Sequence, residues 1–122
     1  MSNILIVDDS LSMRHMVSAT LTQGSHDVVM AEDGQAGLNE LLNESQKFDL
    51  IITDVNMPIM DGITFVKEIR QLSSYRFTPV LVLTTEGGPE KKLAGKEAGA
   101  TGWVVKPFDP DRLITLVTRV LN

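Results

Sequence analysis

The chain contains no cysteine. That absence excludes a disulfide scaffold, thiolate metal ligands and a cysteine nucleophile, and it removes any need for an oxidising compartment. Aromatic residues are scarce, at 5%. Long apolar runs are missing too. The longest in the N-terminal region is Ile4 to Val7, too short for a signal-peptide core or a membrane span. A cytoplasmic protein with no membrane partner is expected. Neither G-x-x-x-x-G-K-S/T nor G-x-G-x-x-G occurs, so nucleotide binding has no support. Positive charge is in deficit, with a net charge of −5. An acidic domain repels a phosphate backbone, so no nucleic-acid partner is expected.

What remains is an ordinary globular composition, 43% hydrophobic and 22% charged over 122 residues. This is the size of one domain, here 1–122. At that length a fold buries roughly two-thirds of the surface its unfolded chain exposes. The charge is unevenly placed. Residues 1–62 carry ten Asp/Glu and two Lys/Arg, whereas residues 63–122 carry six and nine. The acidic half suggests a cation, and the basic half an acidic partner or a solvated helix face.

Two patterns alternate along the chain, without repeat or linker. Continuous apolar runs occur at Ile4–Val7, Val28–Ala31, Leu50–Ile52, Val80–Leu83 and Trp103–Val105. Such runs suit strands buried on both faces of a parallel sheet. Between them lie stretches with helical spacing: Met13, Met16, Val17 and Leu21; Leu38, Leu41 and Leu42; Phe65, Val66, Ile69 and Leu72. After the fifth run come Leu113, Leu116, Val117, Val120 and Leu121. Ser10 reads as the N-cap of the first helix and Gly24 as its C′ residue. Gly88-Pro89 opens the fourth helix and Gly99 closes it. Asp109-Pro110 opens the fifth as N-cap and N1.

Five βα units imply an α/β fold with a parallel sheet, helices on both faces and right-handed crossovers. The order 2-1-3-4-5 of flavodoxin-like sheets is a common solution and is adopted here. Ligands of such sheets bind at the carboxyl ends of the strands. Asp8 and Asp9 follow the first run, Asp54 the third, Thr84 and Thr85 the fourth, and Lys106 the fifth.

Three carboxylates gathered at one edge stay ionised together only if cations compensate them. Hard oxygen ligands in small number favour Mg²⁺, completed by water or phosphate oxygens. Phosphoryl transfer spreads charge over three equatorial oxygens. It needs a metal, a fixed cation and hydrogen-bond donors, and Mg²⁺, Lys106 and Thr84 supply one of each. Asp54 would be the nucleophile. Each residue alone has an ordinary explanation: Asp8 and Asp9 as helix-start acids, Asp54 as a turn residue, Thr84 and Thr85 as strand residues, Lys106 as a turn lysine. His15 and His26 lack ligand spacing, and the six methionines read as core filler. Joint occurrence at consecutive strand ends is what points to chemistry.

Four segments then carry a resemblance over the whole chain: Ile4-Leu5-Ile6-Val7-Asp8-Asp9-Ser10, Asp54-Val55-Asn56-Met57-Pro58-Ile59-Met60-Asp61-Gly62, Leu83-Thr84-Thr85-Glu86, and Gly102-Trp103-Val104-Val105-Lys106-Pro107-Phe108. In this order and spacing they resemble the response-regulator receiver family, most closely its single-domain chemotaxis regulators of the CheY type. The resemblance implies Asp54 as phosphoacceptor, Asp9 as a direct Mg²⁺ ligand and Asp8 as one acting through water. Asn56 would complete the metal shell with its main-chain carbonyl. Thr84 would be the switch hydroxyl and Lys106 the ammonium that pairs with the phosphoryl group. Lys106-Pro107 would be a cis bond. Trp103 stands where the family carries a Tyr or Phe that rotates on activation; it is bulkier, and its indole N–H needs a partner. Asn56 and Glu86 match positions that tune dephosphorylation and imply a short-lived phosphoryl state.

The resemblance also implies partners. A histidine kinase (CheA-like) would be the phosphodonor, a motility motor component the target, and a phosphatase a further partner, with the chain a monomer. No output domain is expected. The face of helix four, strand five and helix five would carry the output, made basic by Lys91, Lys92, Lys96 and Arg112. Helix four has only Leu93, Ala94 and Ala98 as apolar side chains and an internal Gly95, which predicts a loosely held element. The alternatives are a degenerate receiver that binds partners or drains phosphate without switching, and an independent enzyme of the same fold class, such as an aspartyl phosphatase or a flavin protein. The first would lack an acid, the acceptor or the lysine, all present here. An aspartyl phosphatase would need Asp rather than Asn56.

Overall fold

The structure, a computed structural model, describes residues 2–122. Five strands alternate with five helices: β1 (Asn3–Val7), α1 (Leu11–Gln23), β2 (Asp27–Ala31), α2 (Gly34–Leu41), β3 (Leu50–Thr53), α3 (Gly62–Gln71), β4 (Val80–Thr84), α4 (Pro89–Ala98), β5 (Gly102–Val105) and α5 (Pro110–Leu121). A 3₁₀ turn at Ser73–Tyr75 joins α3 to β4. The sheet is wholly parallel, in the order β2-β1-β3-β4-β5. This is the α/β architecture that the alternating pattern implies.

The three central strands are buried on both faces, and the alternation of their side chains feeds two cores. One gathers Leu5, Val7, Ile51, Phe65, Val66 and Ile69 on the side of α2, α3 and α4. The other gathers Ile4, Ile6, Ile52, Leu81, Val17, Leu21, Leu113 and Val117 on the side of α1 and α5. Each fully buried side chain of this size contributes roughly 1.5–3 kcal/mol of transfer free energy.

The expectation of two-sided burial fails for the outer runs. β2 and β5 are edge strands, Met30 is exposed, and β5 is only half buried. Two residues counted on helix faces also point outward: Met16 is 56% and Leu42 61% exposed. Thr20 takes the inward place on α1, where its hydroxyl donates to the Met16 carbonyl 3.0 Å away. A wide apolar stripe read from spacing overshoots where a helix covers only part of a sheet.

The caps follow the sequence reading closely. The Ser10 and Asp109 side chains accept from the main-chain N–H groups of Met13 and Asp111. Asp33 and Asp61 cap α2 and α3 in the same way. Gly99 ends α4 in the left-handed region, φ 111°. Gly24 does not: its φ is −83°, and Ser25 adopts the positive φ, 69°. Among the described residues no helix is long and apolar enough to cross a membrane.

Candidate functional site at the carboxyl edge of the sheet

Strand pairing itself assembles the site. Val7 stands opposite Thr53 in the β1–β3 ladder, so the residues that follow, Asp8 and Asp54, leave the sheet side by side. The ladder extends one step on each side: Asp8 N–H donates to the Ala31 carbonyl (3.1 Å), and Asp54 N–H to the Val7 carbonyl (2.9 Å). At the other edge Lys106 N–H donates to the Thr84 carbonyl (2.8 Å), which fixes the lysine beside β4.

Asp8, Asp9 and Asp54 present carboxylate oxygens within 4.8 Å of one another. Lys106 reaches across the sheet to two of them. Its Nζ lies 2.8 Å from Asp8 Oδ2 and 3.2 Å from Asp54 Oδ2. The remaining Asp8 oxygen accepts from Ser10 N–H (2.8 Å), and Asp54 Oδ1 accepts from Val55 N–H (2.6 Å). Arg14 donates to the Asp8 carbonyl and so ties the turn to α1. Asp8 and Asp54 are buried, while Asp9 is exposed.

Charge in this cluster is unbalanced. Burial pushes the Lys106 pKa down, but the hydrogen bond to Asp8 and the charges of Asp54 and Asp8 outweigh it, and the net shift is upward. One ammonium faces three carboxylates, a donor set of hard oxygens with room for a divalent cation. The residues therefore fit Mg²⁺.

Around this centre lies a second group joined through Glu86. The Asn56 amide donates to Glu86 Oε1 (3.1 Å). The Trp103 indole N–H donates to the Glu86 carbonyl (2.8 Å). The Glu86 N–H in turn donates to Thr84 Oγ1 (3.3 Å). Thr84 is fully buried and Thr85 exposed, so of the two hydroxyls only Thr84 belongs to this group. The indole finds its partner in a main-chain carbonyl, which answers the need noted from its sequence. The Lys106–Pro107 bond is cis.

The loop from β3 to α3 completes the rim. Met60 N–H donates to the Pro58 carbonyl (2.7 Å), closing a γ-turn about Ile59 at φ 70°. Gly62 then passes under Asp54, donating its N–H to the Val55 carbonyl (2.8 Å). A side chain at 62 would collide with the Asp54 carbonyl oxygen.

Every residue singled out from the strand ends is therefore in one place, apart from Thr85. His15 lies exposed on α1 and His26 precedes β2 at the opposite end of the sheet, so neither takes part. The sequence reading missed Arg14, Gly62 and Gly95. Gly62 had a signal, since it directly follows the Asp61 N-cap, but its closeness to Asp54 is a tertiary fact. Gly95 reads from sequence only as a weak point of α4, which indeed buries little besides Gly95 and Ala98, and the sequence does not show its contact. It is buried under the Trp103 ring, and α4 is held at its end by Arg70, whose Nε and Nη2 donate to the Gly99 carbonyl (3.0 and 2.9 Å).

A family model described as the response regulator receiver domain matches residues 4–118. A chemotaxis protein CheY homolog of Campylobacter jejuni is 37% identical over 119 residues, which cover 98% of this chain and 92% of that protein. Among solved structures, the chemotaxis protein CheY4 of Vibrio cholerae superposes with a TM-score of 0.92 at 52% identity, covering 98% of each chain. The receiver domain of a sensor histidine kinase from Pseudomonas aeruginosa, described with a magnesium ion coordinated in its active-site cleft, gives 0.89 at 26% identity and covers 98% of this chain and 97% of that one.

Proposed function

This chain belongs to the response regulator receiver domain family, and we propose that it is a Mg²⁺-dependent phosphoryl switch with Asp54 as acceptor, a stand-alone cytoplasmic regulator in chemotaxis or motility. The observation that carries this reading is the Asp54 carboxylate, set beside Asp8 and Asp9 and 3.2 Å from Lys106 at the open edge of the sheet.

In this reading a phosphohistidine of a CheA-like histidine kinase is the donor. An Asp54 carboxylate oxygen attacks phosphorus, the P–N bond breaks, and its electron pair leaves with the imidazole. The product is an acyl phosphate on Asp54. Asp9, Asp54 and the Asn56 carbonyl would hold Mg²⁺ directly and Asp8 through water, and the chemistry such an ion would supply is neutralisation of charge on the transferring oxygens. Lys106 exchanges its contact with Asp54 for a phosphoryl oxygen. Thr84 turns from Glu86 N–H to donate its own hydrogen to another. Hydrogen bonds between charged partners are the strong ones, so both moves favour the phosphorylated form.

Loss of the Thr84 contact loosens Glu86, and the change reaches Trp103 through the Glu86 carbonyl. The outer face of α4, β5 and α5 then alters. Lys91, Lys92 and Leu93 are exposed there, as are Val105 and Arg112. This chemistry suits a target segment that is acidic with apolar anchors, such as a motor component. Binding that survives charge reversal of Lys91 and Lys92 counts against an acidic target. In this reading Asn56 and Glu86, hydrogen-bonded to each other, orient an attacking water and keep the phosphoryl group short-lived.

Intact mass after addition of acetyl phosphate, with and without Mg²⁺, tests the reading. The expected result is one phosphoryl group, gained only with Mg²⁺ and absent in Asp54→Asn. No gain from acetyl phosphate or from a cognate kinase favours a degenerate receiver.

A further inference from the structure

The bulk of Trp103 is matched by a glycine on the helix it meets. Gly95 is buried near the end of α4, and a Cβ built on it would lie 2.5 Å from Trp103 Cζ3 and 2.9 Å from Cε3. Real Cβ contacts are essentially never closer than 3.0 Å, and the optimum between carbons is about 3.5–4.0 Å. Alanine would therefore force either the ring or the helix to move. Glycine inside a helix is destabilising relative to alanine, so the position calls for a compensating role. The ring gains an apolar seat, and in that seat its N–H lies 2.8 Å from the Glu86 carbonyl.

Glu86 is where the consequence falls. Its carbonyl is held by Trp103, its N–H by Thr84 and its carboxylate by Asn56. The first contact runs to β5, the second to the end of β4 and the third to the loop beside Asp54. α4 itself cannot simply drift to admit a larger residue. Its C-terminal turn is closed by Gly99 N–H and Ala100 N–H on the Gly95 carbonyl, and Arg70 grips the Gly99 carbonyl from α3. Arg70 ties the end of α4 to α3 by two hydrogen bonds while one holds the indole, so the ring is the part expected to give way.

We propose that Gly95 is a positioning residue for the switch: its missing side chain seats the Trp103 ring, and through the indole N–H that seat sets the place of Glu86 and hence of the Asn56 amide beside Asp54. The effect on phosphoryl chemistry rests on the function proposed above, whereas the seating of the ring does not.

The test is a mutant cycle of Gly95→Ala and Trp103→Phe on the full chain, read by thermal midpoint and by phosphoryl half-life from intact mass in all four proteins, and by Trp103 emission in wild type and Gly95→Ala, the two that keep the single tryptophan. Gly95→Ala displaces the indole, so its emission moves to longer wavelength even without phosphate. The half-life lengthens about three- to tenfold, the factor that loss of one net hydrogen bond implies. Trp103→Phe removes the N–H and lengthens the half-life equally. The double variant recovers the thermal midpoint, because the smaller ring leaves room, but not the half-life. Its half-life is no longer than that of either single variant, since both act through one contact. An unchanged emission in Gly95→Ala overturns the inference, as do half-life effects that multiply. A wild-type chain that never gains phosphate removes the function proposed above, and the emission of Gly95→Ala against wild type, with the midpoints of the cycle, still decides the seat.

Discussion

Lys106 Nζ lies 3.2 Å from Asp54 Oδ2, joining the ends of β5 and β3 across the intervening β4. The same ammonium is 2.8 Å from Asp8. It compensates two buried carboxylates and leaves Asp9 facing both with no hydrogen bond to share its charge among the described residues. The arrangement holds three carboxylates close before any ligand arrives. That is a pre-organised state, held at the cost of like-charge repulsion.

Asp9→Asn should therefore raise the thermal midpoint in a chelating buffer, because it removes repulsion without breaking an ion pair or a hydrogen bond. A gain of about 0.5–1 kcal/mol is expected for one partly solvated like charge. The same variant should lose the stabilisation that Mg²⁺ gives wild type, about 2.7 kcal/mol at a hundred times the dissociation constant. Thermal melts with and without Mg²⁺ check both signs.

Lys106 also sets an alkaline limit. Its pKa is raised in the folded state, so the stability it contributes is fully present below the ordinary lysine value of about 10.4 and is lost as pH rises through the raised value. Urea unfolding should show no change from this group between neutrality and about pH 9, then a falling limb. Lys106→Met should flatten that limb and lower stability at neutral pH, since Asp8 and Asp54 then face each other uncompensated.

Gly62→Ala tests the turn beneath the acceptor. A Cβ there collides with the Asp54 carbonyl oxygen, so the α3 start must retreat from β3. We expect a loss above about 3 kcal/mol in urea unfolding, from overpacking against a backbone that cannot rotate away.

Ile59 offers the opposite sign. A β-branched residue at φ 70° is strained, and its side chain is 80% exposed, so it pays little back in burial. Ile59→Gly should stabilise the fold by about 1 kcal/mol. If Ile59 is also a contact for a kinase or phosphatase, transfer between proteins slows in this variant while phosphorylation by acetyl phosphate does not.

Much of this was legible in the sequence because parallel strands in alternation with helices make residues at strand ends neighbours. Asp8 and Asp54 meet because Val7 pairs with Thr53, and any chain with these five runs in this order brings them together. Lys106 follows the same logic from β5. The edges were harder to read. Val28–Ala31 and Trp103–Val105 are as apolar as the central strands, and only the strand order makes them half-exposed. The role of Gly95 was out of reach for a further reason. Inside a helix a glycine signals weakness by propensity, and only the position of Trp103 shows that the missing side chain is filled by a ring from another strand. Arg70, which donates to the carbonyls of Tyr75, Thr78 and Gly99, left no pattern either, since main-chain acceptors carry no residue type.

The central claim is that phosphate enters on the Asp54 side chain. Borohydride reduction of an acyl phosphate leaves an alcohol where the carboxylate stood, so treatment with acetyl phosphate and Mg²⁺, reduction and peptide mass mapping localise it. The account predicts homoserine at position 54, formed only with Mg²⁺ and donor together, and no such product in Asp54→Asn. Reduction at another aspartate, or a phosphate borne on a hydroxyl such as that of Thr84, would contradict it.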